Sequence, residues 1–211
     1  MIVNQLSVGP LGVNCYIISD EKTRDAVVID PGGDPDDILK IVRNKKLTVL
    51  FVVITHAHFD HVGANKAVQD ATGAKILMHK EDEKLLASAA NQGAFFGIQS
   101  VPSPPADRYI EHGDFITVGE ISLRVLHTPG HSQGGVCLLG EGVVFTGDTL
   151  FAGSIGRSDF PGGNPATLLH SIKTHLMTLP DTTKVFPGHG PASTIGQERL
   201  HNPFLNDFSD V

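Results

Sequence analysis

Four apolar runs in this chain each end abruptly in histidine or aspartate. LFVVIT runs into His56, His58, Asp60 and His61, LRVLHTPG into His131, VVFTG into Asp148, and KVFPG into His189. Segments rich in Val, Ile, Leu and Phe and bounded by Gly or Pro read as strands, so each polar cluster occupies the turn that leaves a strand. If those strand ends converge at one edge of the sheets, four loops deliver five histidines and two carboxylates to a common cleft. Loops on a rigid scaffold are the usual place for a site.

The rest of the chain supplies that scaffold. Strand-like runs recur as IVNQLSV, NCYIIS, AVVID, VLFVVIT, AKILMH, FITV, ISLRVLH, GVCLL, GVVFT and KVFPG. Helical periodicity predicts helices over 34–44 (Ile38, Ile41, Val42), 60–72 (Ala64, Ala67, Val68, Ala71) and 164–177 (Leu168, Leu169, Ile172, Leu176). Asp34-Pro35 and Asn164-Pro165 read as starts, with the polar residue capping and the proline at the first helical position. The class is α/β. Short meandering strands interleaved with helices predict two mixed sheets with helices on their outer faces, not one doubly wound sheet. The stretch 91–107, with Phe95 and Phe96, reads as a long loop.

Composition narrows the partners. A chain of 211 residues, 40% hydrophobic, can close one sizeable core, so 1–211 is expected to be a single domain. A net charge of -7 without a Lys/Arg cluster argues against nucleic acid. The start lacks a basic segment followed by a long apolar one, and no stretch reaches about 18 apolar residues. Neither secretion nor membrane insertion is signalled, and the cytoplasm is the expected location. Cys15 and Cys137 lie inside apolar runs, where free thiols behave as small buried hydrophobes. The sequence leaves the oligomeric state open.

Neutral imidazole nitrogens and carboxylate oxygens suit a divalent cation, and seven such groups suffice for two ions. His56 and His58 are two apart, so in an extended segment they point the same way. Asp60 then opens the following helix, where its charge offsets the positive helix end that would repel a cation. Each Pro-Gly-His segment, at 129–131 and 187–189, is a rigid turn that fixes where its histidine projects. His79, His112, His127, His170, His175 and His201 have no such neighbours along the chain and read as core or surface histidines satisfied by hydrogen bonds.

A competing pattern lies in the same segment. GHSQG, residues 130–134, fits the G-x-S-x-G of serine hydrolases, and Asp148 or Asp159 with His189 completes the chain order of a triad. That elbow needs a helix after the serine. Here Gly134 and Gly135 lead into VCLLGEGVVFT, which reads as strand, turn and strand, so Ser132 is expected to be a turn residue beside a metal ligand.

THAHFDH, TPGHSQG, TGDTLF and FPGHG together resemble the metallo-β-lactamase superfamily over residues 2 to about 205. NCYII, GDTLF, GRSDFPGGN and GQERLHNPFL resemble glyoxalase II (hydroxyacylglutathione hydrolase) and its short bacterial relatives, without the C-terminal helical domain of the full-length enzyme. The resemblance implies an αββα sandwich with metals at one sheet edge. His56, His58 and His131 would hold one metal, Asp60, His61 and His189 a second, and Asp148 would bridge them. It further implies two divalent ions, zinc first with iron or manganese as alternatives, and a small-molecule thioester substrate. A metal-activated hydroxide would attack the acyl carbon, with Asp60 and Asp148 as catalytic carboxylates and Arg157 and Phe160 contacting substrate. A thiolate of parent pKa roughly 8.5 leaves without a strong general acid, which favours a thioester over an amide.

GRSDF also resembles persulfide dioxygenases, which use a single iron that His56, His131 and Asp148 would hold here. A lactonase or phosphoesterase of the same fold is a further alternative. A β-lactamase is less expected, because no cysteine stands at a metal-ligand position. The metal and serine readings separate cleanly: a chelator is expected to abolish turnover while a serine-directed reagent leaves it unchanged, and the reverse would make Ser132 the nucleophile.

Overall fold

The computed structural model describes residues 1–95, 97–98 and 101–206. Six strands form the first sheet in chain order: β1 (Ile2–Val8), β2 (Val13–Ser19), β3 (Asp25–Ile29), β4 (Thr48–Val53), β5 (Lys75–Met78) and β6 (Arg108–Tyr109). The second contains β7 (Phe115–Val118), β8 (Ile121–His127), β9 (Val136–Gly140) and β10 (Val143–Gly147), and continues, after the small hairpin β11 (Leu150–Phe151) and β12 (Ser154–Ile155), with β13 (Lys184–Pro187) and β14 (Ser193–Thr194). Its spatial order is β14-β13-β10-β9-β8-β7.

Strand direction explains why the polar turns converge. In the first sheet β3, β4 and β5 are mutually parallel, so the exits at Asp30, Thr55 and His79 share one edge. In the second, β8 and β10 are each antiparallel to β9 and β10 is parallel to β13, so the exits toward His131, Asp148 and His189 also share an edge. The expected strands are all present; the additional two-residue pieces β6, β11, β12 and β14 are too short to leave a sequence pattern.

Alternating side chains on the inner strands serve two different cores. On β2, Cys15 and Ile17 pack toward the helices while Tyr16 and Ile18 face the other sheet; on β9, Val136 and Leu138 face the first sheet and Cys137 faces helices. Helices α1 (Pro35–Asn44), α3 (Asn65–Thr72) and α4 (Glu83–Phe95) cover the first sheet through Ile38, Val68 and Leu86. Helices α5 (Pro165–Ser171) and α6 (Ile195–His201) cover the second through Leu168 and Ile195. The result is the expected αββα sandwich. Both cysteines are fully buried and unpaired, and burial pushes the Cys137 thiol up to about 11.

Three helical details differ from the sequence reading. The helix expected over 60–72 is two pieces, α2 (Phe59–Val62) and α3. The break occurs because the Ala64 amide donates to the Pro31 carbonyl (2.8 Å), a tertiary contact that takes it out of the helical pattern. Asp34 does not cap α1; its backbone is left-handed (φ 47°) and its carboxylate accepts the Gly9 amide at 2.8 Å. Asn164 does cap α5, accepting from the Thr167 amide at 2.9 Å, and that helix passes into a π-type turn over Ile172–Leu176. The loop expected at 91–107 begins inside α4, which continues to Phe95. The exposure expected of Phe95 and Phe96 lies outside what is described. A final short helix, α7 (Pro203–Asn206), follows α6. Among the described residues no helix is long and apolar enough to cross a membrane.

The sheets are also stitched by polar contacts. The Tyr16 hydroxyl donates to the Pro187 carbonyl at 2.7 Å, and the Asn14 amide side chain donates to Pro187 (3.0 Å) and Gly190 (2.8 Å), flanking His189. The Tyr16 ring packs edge-on to Phe145, with centroids 5.1 Å apart. Tyr16→Phe keeps that packing and removes one buried hydrogen bond, so chemical denaturation is expected to report a loss of about 0.5–1.5 kcal/mol with the slope unchanged.

Candidate metal centre

The predicted residues meet. His56 Nε2 lies 3.1 Å from His131 Nε2, which is 2.9 Å from His58 Nδ1, so three ring nitrogens from two loops point at one another. Beside them His189 Nε2 and His61 Nε2 lie 3.3 and 3.8 Å from Asp60 Oδ2. Asp148 stands between the two sets, with Oδ1 3.4 Å from His61 and Oδ2 3.6 and 3.7 Å from His131 and His189. Among the described residues, His56-His58-His131 and Asp60-His61-His189 each bring three donor atoms within 4.8 Å of one another.

The electrostatics follow from this crowding. Burial first, then the surrounding imidazoles, holds His56 well below the ordinary histidine range, and the same causes push His58 down to about 4. Burial would also lower His61, but the carboxylates of Asp148, Asp60 and Asp30 outweigh it and raise that ring. Asp148 is lowered despite burial, because His61, His131 and His189 surround it. Two buried atoms, His61 Nε2 and Asp148 Oδ1, have no hydrogen-bond partner although they lie 3.4 Å apart. Orphaned buried polar atoms are costly in an apolar interior. A divalent cation coordinated by both would satisfy them, so the residues fit a metal.

The far sides of three of the rings are held too. His61 Nδ1 lies 2.9 Å from Asp30 Oδ2, whose carboxylate also accepts from the Thr55 amide (2.7 Å) and hydroxyl (2.6 Å). His131 Nδ1 lies 2.6 Å from the Arg157 carbonyl, and His56 Nδ1 lies 3.2 Å from the Thr55 hydroxyl. Such contacts fix the tautomer and leave the inward nitrogen free to ligate. Asp30 escaped the sequence reading, which has it only as the end of the strand-like run AVVID.

Arg157 and Phe160 line the mouth of a cleft of about 830 Å³ that contains His58, Asp60, His131, Asp148 and His189. The Arg157 fork is already engaged by Asp159 at 3.0 and 2.9 Å, and its guanidinium lies 4.2 Å from the centre of the Phe160 ring. Phe160 in turn sits edge-on to His58, with centroids 5.9 Å apart. Ser132 takes no part in a triad: its hydroxyl donates to buried Asp82 at 2.8 Å, and a strand follows it. Four histidines expected to stand alone are paired away from the centre. His79 stacks on His127 at 3.9 Å, and His112 lies 4.8 Å from His175; the partners are too far apart along the chain for spacing to hint at it.

The family model described as the metallo-beta-lactamase superfamily matches residues 8–189. This chain belongs to the metallo-beta-lactamase superfamily. Within it, the chain is 42% identical to an uncharacterized protein of Aquifex aeolicus, covering 98% of each. It is 41% identical to the probable metallo-hydrolase YqgX of Bacillus subtilis (97% of this chain, 98% of that one). It is 37% identical to the hydroxyacylglutathione hydrolase GloC of Haemophilus influenzae (93% and 94%). Among solved structures it resembles the BLEG-1 B3 metallo-beta-lactamase with TM-score 0.91 and 38% identity, over 97% of this chain and 100% of that one. TTHA1623 in a di-iron-bound form follows at 0.89 and 38%, over 96% and 100%. ETHE1 from Myxococcus xanthus gives 0.80 and 36%, over 96% and 84%. The class of chemistry is that of a metallo-hydrolase of the metallo-beta-lactamase fold.

The lowered His58 gives the metal-free protein a defined pH response. An unfolded histidine takes up a proton near pH 6.5. Folded His58 refuses it until about pH 4, so stability present above pH 6.5 is lost as the pH falls between the two values. His56 is lowered as well and loses stability in the same direction. Because His61 and His189 are raised, their contribution is already complete below pH 6.5 and stays nearly constant across this window. Urea denaturation of metal-free protein is expected to show a drop of at least about 2 kcal/mol between pH 6.5 and 4.5, smaller in His58→Gln.

Proposed function

We propose that this chain is a metal-dependent thioester hydrolase that cleaves a glutathione thioester such as S-lactoylglutathione. His56, His58 and His131 would hold one divalent ion, Asp60, His61 and His189 the other, and Asp148 both, with zinc the expected metal. The observation that carries the metal assignment is the pair of orphaned buried atoms, His61 Nε2 and Asp148 Oδ1, 3.4 Å apart. Likeness to GloC over nearly the whole of both chains supports the thioester. The proposed partner is this small molecule and not nucleic acid, in keeping with a net charge of -7.

When bound, such metals supply an acidified water and a Lewis acid that polarises the carbonyl. The chain's own residues do the rest. Asp60 is held ionised, chiefly by His61 and the His189 hydrogen bond working against burial, so its carboxylate can accept a proton from the attacking water and orient it. Asp148 keeps its charge between the two groups, where it balances the cations without a proton. Asp30 and the Arg157 carbonyl hold His61 and His131 in fixed orientations, so little reorganisation is needed during turnover. Among the described residues lining the cleft there is no Lys, Tyr or Cys to act as a strong general acid. A thiolate departs without one. Phe160 offers a flat apolar face to the thiol half, and a substrate carboxylate reaching Arg157 would displace Asp159.

A second reading, a persulfide dioxygenase using one iron, draws on the GRSDF segment and on the His56-His131-Asp148 grouping, whose atoms lie 3.1 and 3.6 Å apart. Likeness to ETHE1 supports keeping it, and the protein solved in a di-iron-bound form keeps iron open as the metal without favouring a single ion. Metal analysis should accompany three assays: thiol release from S-lactoylglutathione, oxygen uptake with glutathione persulfide, and hydrolysis of a chromogenic β-lactam. Thiol release with two ions per chain is the expected result. Oxygen uptake with one iron, or β-lactam turnover alone, would overturn the thioester reading.

A further inference from the structure

One buried acid takes no part in the chemistry proposed above. Asp82 closes the 3-10 turn Lys80–Asp82 at the exit of β5 and is 2% exposed. Its Oδ2 accepts hydrogen bonds from the Ala57 amide (3.0 Å) and the Ser132 hydroxyl (2.8 Å), and its Oδ1 accepts from the Gly134 amide (2.6 Å). Ala57 separates His56 from His58, and Ser132 follows His131. One carboxylate therefore grips both loops of the three-histidine group, one loop from each sheet, from a segment that belongs to neither.

The grip is shaped for an acid. Among the described residues no Lys or Arg lies within ion-pair distance of Asp82, so three hydrogen-bond donors, all on the two loops, compensate its charge. A buried carboxylate without a cation is retained only where its oxygens are well hydrogen-bonded. Space is reserved for it as well. A Cβ at Gly134 would lie 2.7 Å from the Asp82 amide nitrogen and 2.8 Å from its Cβ and Cγ. An asparagine would turn one acceptor into a donor, facing either Gly134 or the Ala57-Ser132 pair, and so release one loop.

We propose that Asp82 is the positioning residue of the three-histidine group. It sets the separation of His56 and His58 from His131, and with it the affinity of that metal position. The Asp60-His61-His189 position is set by Asp30 instead, through His61 Nδ1. Asp82 bonds only to residues beside His56, His58 and His131, whereas Asp30 also reaches the first group through Thr55 and His56. This rests on the metal assignment under the proposed function.

Stepwise Co(II) titration of the full chain tests it, followed by visible absorption and by the shifted imidazole proton resonances that distinguish the two groups. In Asp82→Asn the three-histidine position is expected to weaken 10–100-fold, with the second position unchanged; Asp30→Asn is expected to weaken both, because Asp30 holds His61 directly and His56 through Thr55. Gly134→Ala, which pushes on Asp82 without altering it, should reproduce the first pattern and serves if Asp82→Asn does not fold. In metal-free Asp82→Asn, amide exchange should quicken at 56–58 and 131–135 but not at 187–189. Equal weakening of both positions by Asp82→Asn, or of neither, overturns this proposal alone. A wild-type chain that takes up no divalent ion overturns the metal assignment and this proposal with it.

Discussion

Five imidazoles and the carboxylates of Asp30, Asp60 and Asp148 share a volume from which most water is excluded, and nearly every other feature of the structure serves that juxtaposition. Left to themselves these groups are in conflict. His56 and His58 are driven neutral by burial and by their neighbours, while His61 is drawn toward the protonated state by three acids. The conflict is resolved by a divalent charge at the centre, which replaces protons as the partner of the inward nitrogens and carboxylate oxygens.

Backbone direction makes the crowding possible. Three parallel exits on one sheet and three like-directed exits on the other place polar turns at a shared edge, while the strands behind them bury apolar side chains on both faces. The strands thus carry no chemistry; the donor groups sit on the turns that follow them and on the short helix α2. Asn14 and Tyr16 tie the last of these turns to the opposite sheet, so His189 is fixed by contacts made more than 170 residues away in sequence.

The sequence announced the site more clearly than its supports. The seven candidate ligands stand out because they follow apolar runs, and runs buried on both faces are easily read as strands. Asp30 and Asp82 were obscured for different reasons: one reads only as the end of a strand-like run, the other lies in the charged stretch HKEDEK, where a buried acid looks like its exposed neighbours. The Asp34 cap and the unbroken helix over 60–72 were reasonable local expectations that distant contacts displaced, the Gly9 amide in one case and the Pro31 carbonyl in the other. Helix α4 was missed because Ala89 and Leu86 give it only a thin apolar stripe. Pairs such as His79 with His127 come from different sheets, a proximity that spacing along one chain cannot express.

Residue 157 divides its labour between main chain and side chain. The carbonyl buttresses His131, and the guanidinium reaches into the cleft mouth. Under the proposed function, replacement of that side chain would alter what the cleft admits while the peptide oxygen went on supporting the histidine. Substrate preference can therefore drift over generations at this position without disturbing the inorganic core, which is one route by which a single scaffold comes to serve many reactions.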